Sequence, residues 1–332
     1  MTDETKATRG ARHARPRRDH GAVDALLISA NRRSLGKDLY RDRYLYLFLV
    51  PVVAFYIVFR YLPLGGLIIA FKDYRLNLGI LGSPWVGFKH FERLFAAREF
   101  YRVVRNTLVL NVYGLVAGFP APIILAILLN EVRNLKYKKA VQTMLYLPHF
   151  ISWVVLGGII INLLSPSSGI VNHALDAVFG VRIFFMGSSA WWPTVYVMSG
   201  IWQGAGWGTI IYLAAISGID PQLYEASIID GANKLRQIRH ITIPGITSTI
   251  FILLILRMGQ MLNIGFEQVF MLQNLAVRDV SDVISTYVYR TGIEGFRYSY
   301  TTALGVFQSV IGFILIVTAN WLSNKYTETG IW

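Results

Sequence analysis

Residues 219–246 read IDPQLYEASIIDGANKLRQIRHITIPGI, a compact mixed-charge segment between two long apolar runs. Asp220 followed by Pro221 is a helix start: an oxygen-bearing cap, then a residue whose missing N–H costs nothing at the first helical position. The first helix is expected to end near Ile229, with Gly231 supplying a left-handed turn. A second helix carries Lys234, Arg236 and Arg239 and runs to Pro244, where the next apolar run begins. Ala226, Ser227 and Gly231 keep one side of the pair low enough for another body to approach closely. By these signals the segment is either a well-capped loop or a docking element.

The surroundings are those of a membrane protein. Of 332 residues, 54% are hydrophobic and 15% charged, against about 25% charged in soluble domains; the mean hydropathy is +0.45. A helix needs about 20 apolar residues to cross a bilayer, and six runs qualify: 44–71, 106–130, 140–164, 191–217, 247–271 and 300–322. Pro63 predicts a break in the first, giving a span and a re-entrant turn. With no strand alternation, the chain is expected to be all-α and polytopic. If the amino terminus lies inside, the cytoplasmic pieces 1–43, 131–139, 218–246 and 323–332 hold 19 Lys and Arg. The opposite pieces, 72–105, 165–190 and 272–299, hold 11. The bias predicts both termini inside, and the quoted segment with them.

Much of the net charge of +13 sits in the tail, in RGARHARPRR and NRRSLGK. Beside a membrane span such a tail reads as retention against anionic lipid, not as a nucleic-acid module. It is expected to be flexible and to end in an amphipathic helix near residue 43. In the loop 72–105, Phe88, Phe91, Leu94 and Phe95 fall at helical spacing, which predicts a short surface helix, either an interfacial anchor or a docking surface. The chain has no cysteine, so disulfides and thiolate chemistry are excluded.

The quoted segment resembles the EAA loop of importer-type ABC transporter permeases: E-A-A, three residues, G, nine residues, I-x-L-P. Glu225-Ala226-Ser227, then Gly231, then Ile241-Thr242-Ile243-Pro244 follow that spacing, departing at Ser227 and Ile243. WVGFKHFERLF, RNTLVLN, YLPHFISWVV, GFEQVFML and DVISTYVYRTGI are similar to the carbohydrate-uptake permeases, in particular the lipoprotein-, aldouronate- and alginate-type branch. The resemblance implies the importer-type permease fold in a bacterial inner membrane. It implies that Glu225, Ala226, Ser227, Asp230, Gly231, Ile241 and Pro244 form a coupling helix against a cytoplasmic ATPase. It also implies the partners: two ATP-binding cassette subunits that bind ATP and Mg, a second and different permease, a solute-binding protein outside, and an oligosaccharide substrate.

No energy source or cofactor site of its own is legible. There is no G-x-x-x-x-G-K-[ST], the nearest fragment being Gly36-Lys37, and no H-E-x-x-H or G-x-S-x-G. His13, His20, His90, His149, His173 and His240 have no ligand spacing, so neither catalysis nor a metal site is expected. An ion- or proton-coupled transporter is the alternative, but it calls for coupling carboxylates or broken half-helices in matching repeats, and neither is visible.

Arg257, Gln260, Asn263 and Glu267 fall within a sector of roughly 120° if 247–271 is one helix. Polar side chains at that depth face a wet cavity or one another. In the first case they suit sugar hydroxyls, and Arg257 an acidic sugar. Trp153, Trp202 and Trp207 stack on sugar rings or act as packing and interface anchors. Gly200, Gly204 and Gly208 form overlapping G-x-x-x-G units, for packing within the subunit or against the second permease.

Overall fold

The computed structural model describes residues 41–327. The tail to residue 40, with the amphipathic helix expected at its end, lies outside the described residues. The chain divides into two compact units at Gly65–Gly66. Helix α1 (Arg43–Phe71) is 29 residues long. Its winding changes to π at Ile57–Tyr61 and to 3₁₀ at Leu62–Phe71 without a stop. Pro63 stands at the second position of the 3₁₀ stretch, where its absent N–H is tolerated, so the expected break and re-entrant turn do not occur.

In the second unit, α2 (Lys89–Ala96) is followed by α3 (Arg98–Glu131), which runs for 34 residues through a π turn at Gly114–Gly118. Next come α4 (Leu135–Phe150), α5 (Trp153–Leu163), α6 (Ile170–Phe179), α7 (Trp192–Ser217), α8 (Pro221–Ile229), α9 (Lys234–Gly245) and α10 (Thr247–Gly259). The short helices α11 (Phe266–Leu272) and α12 (Ile284–Val288) precede α13 (Tyr298–Thr327), of 30 residues. Among the described residues the β structure is a single bridge, Lys72 to Trp85.

Two expected spans are bent. The run 140–164 turns by 102° between α4 and α5, because Pro148 tightens the last turn of α4 into 3₁₀ and Ile151 and Ser152 are extended. At Pro244-Gly245 the chain turns by 58° from α9 into α10. A third expectation, one helix over 247–271, fails outright. Helix α10 stops at Gly259, and turn bonds such as Asn263 N–H to the Gln260 carbonyl (2.8 Å) carry the chain to α11. The run 106–130 begins earlier, at Arg98, because the added turns bury Phe100 and Val103. The last helix passes residue 322 and continues to Thr327, into the piece expected to be a terminal tail.

Helices α1, α3 and α13 are each long and apolar enough to cross a bilayer, and the bent pairs α4–α5 and α9–α10 raise the number to five. Helix α7, 26 residues, is long enough at about 1.5 Å per residue but is interleaved with Gly, Ser, Gln and Trp.

Between helices in lipid, close packing and hydrogen bonds carry more of the stability than water exclusion does. Trp192, fully buried, donates from its indole to the Leu272 carbonyl at 2.8 Å, tying α7 to α11. Leu94, Val103, Ile284 and Leu304 join α2, α3, α12 and α13. Leu94 thus belongs to the core while Phe88 stays exposed, so the surface helix does not present its four apolar residues as one face. Tyr212, Ile216 and Ile246 pack with Ala126 near the far end of α3.

The segment 278–284 is fastened to the start of α3. Asn106 donates to the carbonyls of Asp279 (2.8 Å) and Asp282 (3.0 Å), and Thr107 Oγ1 accepts from Ile284 N–H at 3.0 Å. Asp282 is fully buried. Arg290 grips its two oxygens at 3.0 and 2.8 Å, Thr286 donates at 3.1 Å, and Arg102 (3.7 Å) and Arg278 (4.0 Å) stand around it. The carboxylate holds the Arg290 guanidinium above its ordinary pKa.

Candidate functional site

Local chemistry shapes the 219–246 segment as its residues demand. Asp220 caps α8 by accepting from Gln222 N–H at 2.9 Å, with Pro221 in the first position. Gly231 adopts φ +72°. Gly231 N–H bonds the Ile228 carbonyl (3.0 Å) and Ala232 N–H the Ser227 carbonyl (2.9 Å), a Schellman closure. Asn233 caps α9 through Arg236 N–H at 2.9 Å.

Side chains lock the two helices together and to the rest of the unit. The buried Gln237 donates to Ser227 Oγ at 2.9 Å, and Tyr224 and Thr242 share a hydrogen bond of 3.0 Å. Lys234 pairs with Glu131, the last residue of α3, at 3.0 Å. Glu225, Ala226, Asp230, Gly231 and Pro244 are exposed, Ser227 and Ile241 half-buried. Leu223, Ile228, Ile229 and Leu235 are exposed beside them, Ile229 at 86%. Ser227→Ala removes the acceptor from a buried amide, at a cost of about 1–3 kcal/mol. Faster hydrogen–deuterium exchange across 221–240 is expected, largely reversed in Ser227→Ala/Gln237→Leu; unchanged exchange in the single variant would refute the lock.

The second feature is a cavity of about 550 Å³ between α3, α7 and the turn after α10. Arg257 and Asn263 line it, together with Asn111, Tyr196 and Gln268. Arg257 donates to Asn111 Oδ1 at 3.2 Å and has no carboxylate partner among the described residues. Asn111 in turn donates to the Met261 carbonyl at 2.9 Å, and Gln268 to the Tyr196 carbonyl at 2.7 Å. The cavity therefore presents amides and one unpaired cation, a set suited to hydroxyl or carboxylate ligands.

The expected four-residue helical face does not exist, because the helix ends at Gly259. Gln260 lines a separate cleft with Asn263 and Gln308, and Glu267 is exposed on α11 and lines neither. Trp153 packs half-buried against the core; Trp202 and Trp207 are exposed, and Trp207 stacks on His149 at 4.7 Å. None of the three lines the cavity. Gly200, Gly204 and Gly208 do line it: a Cβ at 200 would meet Gln268 at 3.3 Å and one at 208 would meet Pro122 at 3.0 Å, whereas 204 is open. On α7 the tightest approach within the chain is at Gly206, against the Leu145 carbonyl, with Gly208 also close to Pro122 of α3. Asn111 and Gln268 were missed, although an amide inside an apolar run is itself a signal. Among the described residues no three His, Asp or Glu side chains gather to hold a metal.

Residues 118–328 match the model of the family described as "Binding-protein-dependent transport system inner membrane component". The chain is 46% identical over 312 residues to the polygalacturonan/rhamnogalacturonan transport system permease protein YteP of Bacillus subtilis, covering 94% of this chain and 97% of that protein. It is 46% identical over 293 residues to Protein LplB of the same organism, covering 88% and 92%. A chain in the crystal structure of a bacterial ABC transporter that imports the acidic polysaccharide alginate superposes with a TM-score of 0.82 at 42% identity, over 89% of this chain and all of that one. A chain of the same kind of transporter, in complex with an alginate-pentasaccharide-bound periplasmic protein, matches equally, over 90% of this chain.

Proposed function

Because this chain belongs to the binding-protein-dependent transport system inner membrane component family, we propose that it is one of two different channel-forming subunits of an ATP-driven importer. The cargo is an oligosaccharide handed over by a solute-binding protein and moved by alternating access. The chain is a permease of the sugar-transporting ABC systems and resides in the bacterial inner membrane. Its six spans are α1, α3, α4–α5, α7, α9–α10 and α13, with both termini and the 219–246 segment inside.

The observation that carries this reading is the 219–246 segment: two short helices, capped, closed at Gly231, bonded to each other and to the end of α3, with Leu223, Ile228, Ile229 and Leu235 turned outward. Such a rigid, apolar-faced element suits a groove in another protein. Glu225, Ala226, Ser227, Asp230, Gly231, Ile241 and Pro244 form the coupling element, the ATPase subunits bind ATP and Mg, and their closure pushes on it. The cavity around Arg257 and Asn263 receives the sugar. Ligand biases the inward–outward switch only through unequal affinity for the two states, which a loaded binding protein supplies.

The test pairs capture with energetics. A photocrosslinker at the exposed Ala226 is expected to trap an ATPase subunit, and uptake by vesicles containing the whole complex to persist after ionophores collapse ion gradients. Uptake that stops with the gradient would make the chain a secondary transporter.

A further inference from the structure

Five arginines and one acid, Glu99, line a cleft of about 580 Å³ where α2 meets the first turn of α3 and the start of α13: Arg93, Arg102, Arg278, Arg290 and Arg297. Asp282, buried beneath it, grips Arg290 and stands within 4.0 Å of Arg102 and Arg278. Five positive charges against three carboxylates, Glu99, Asp282 and Glu294, the last of which also acts on Arg290, leave an excess of two. Arg93 and Arg297 have no carboxylate partner among the described residues, and Arg102 Nε is buried without a hydrogen-bond acceptor. Arg290 and Arg297 lie over the rings of Tyr287 (5.5 Å) and Tyr300 (4.7 Å), which fixes the direction of their planar forks. Like charges held this close repel one another unless an anion enters. The cleft is concave and within the 300–1,000 Å³ common for small-molecule sites.

Its place in the fold is also defined. Arg102 is in the first turns of α3, and Glu131, the coupling segment's ion-pair partner, is at the far end. Some 29 residues of helix, roughly 44 Å at 1.5 Å per residue, separate them. If 219–246 is inside, the arginine cleft is outside.

We propose that this cleft is a receiving site for uronate carboxylates, where an acidic oligosaccharide is held at the outer face before it passes to the cavity around Arg257. The proposal rests on the import reading above. Carboxylate oxygens match paired guanidinium donors, whereas neutral sugar hydroxyls gain little from an excess of charge.

The test measures binding, not transport. The complex, purified in lipid nanodiscs without nucleotide or solute-binding protein, is titrated calorimetrically with trigalacturonate and with its fully methyl-esterified, uncharged form. The acid is expected to bind at least tenfold more tightly than the ester, with the margin shrinking as salt rises. Arg93→Gln/Arg297→Gln, which touches neither Asp282 nor the cavity, is expected to weaken acid binding about tenfold and to leave ester binding and the unfolding temperature unchanged. Equal binding of acid and ester, or an acid preference undiminished in the double variant, overturns the proposal. So does a double variant that loses capture of the solute-binding protein while keeping uronate affinity, which would assign the cleft to protein docking. Failure of the import reading itself shows separately, as absence of ATP-driven uptake by the unaltered complex.

Discussion

Gly231→Asp is expected to leave the subunit inserted and assembled while reducing ATP-driven uptake at least tenfold. The glycine sits at φ +72°, a conformation that costs an L-residue roughly 1–2 kcal/mol, and Asp is among the residues that bear it best. A Cβ at this position meets nothing within 4 Å in the chain, so the subunit itself has room for the side chain. The damage must therefore arise where another protein approaches: a second negative charge joins Asp230 on the exposed side of the turn. A loss of about 1.4 kcal/mol in that contact is tenfold in its equilibrium constant. Gly231→Asn, of similar shape and neutral, is expected to retain most uptake. Full transport by the Asp variant would refute the coupling role. Loss of the protein from the membrane would instead make Gly231 a folding residue.

The largest stability effect is expected at the other end of α3. Asp282→Ala removes the buried carboxylate that Arg290 grips and Arg102 and Arg278 flank. Breaking a buried ion pair from one side costs about 3–5 kcal/mol. The low end applies, because the three guanidinium groups are between 31% and 40% exposed and can turn to water. About 3 kcal/mol corresponds to a fall in unfolding temperature of roughly 6–12 °C for a unit of this size. Asp282→Asn keeps the shape and an acceptor for Thr286 but loses the charge, and should fall between. Unchanged thermal unfolding of the detergent-solubilised Ala variant would show that segment 278–284 is held by Asn106 and Thr107 alone.

The features legible beforehand were those written in neighbouring residues. Asp220-Pro221 and Gly231 each determine their own turn through a cap or a left-handed φ, and both elements lie where those signals place them. Family spacing adds the register of the 219–246 segment. The bends were not legible from hydropathy, because an apolar run reads alike whether it continues straight or turns through 102°. Pro148 marked that corner, but proline is also compatible with a continuing helix, as Pro63 demonstrates.

The polar residues after α10 were misplaced for the same reason. Arg257, Gln260, Asn263 and Glu267 share a face only on an unbroken helix, and Gly259 and Gly265 frame a turn that sends two of them to the cavity and two elsewhere. Asn111 and Gln268 enter the cavity from other helices, a long-range pairing for which no local rule exists.

Helix α3 is bonded near both ends, to segment 278–284 through Arg102, Asn106 and Thr107 and to the 219–246 segment through Glu131. A beam pinned in this way works as a lever. Tilting a rod of roughly 44 Å by only about 4° carries one tip sideways by roughly 3 Å, as far as a whole hydrogen bond is long. On the proposed import reading, modest strokes by a motor at one membrane face would therefore suffice to open or shut a gate at the other.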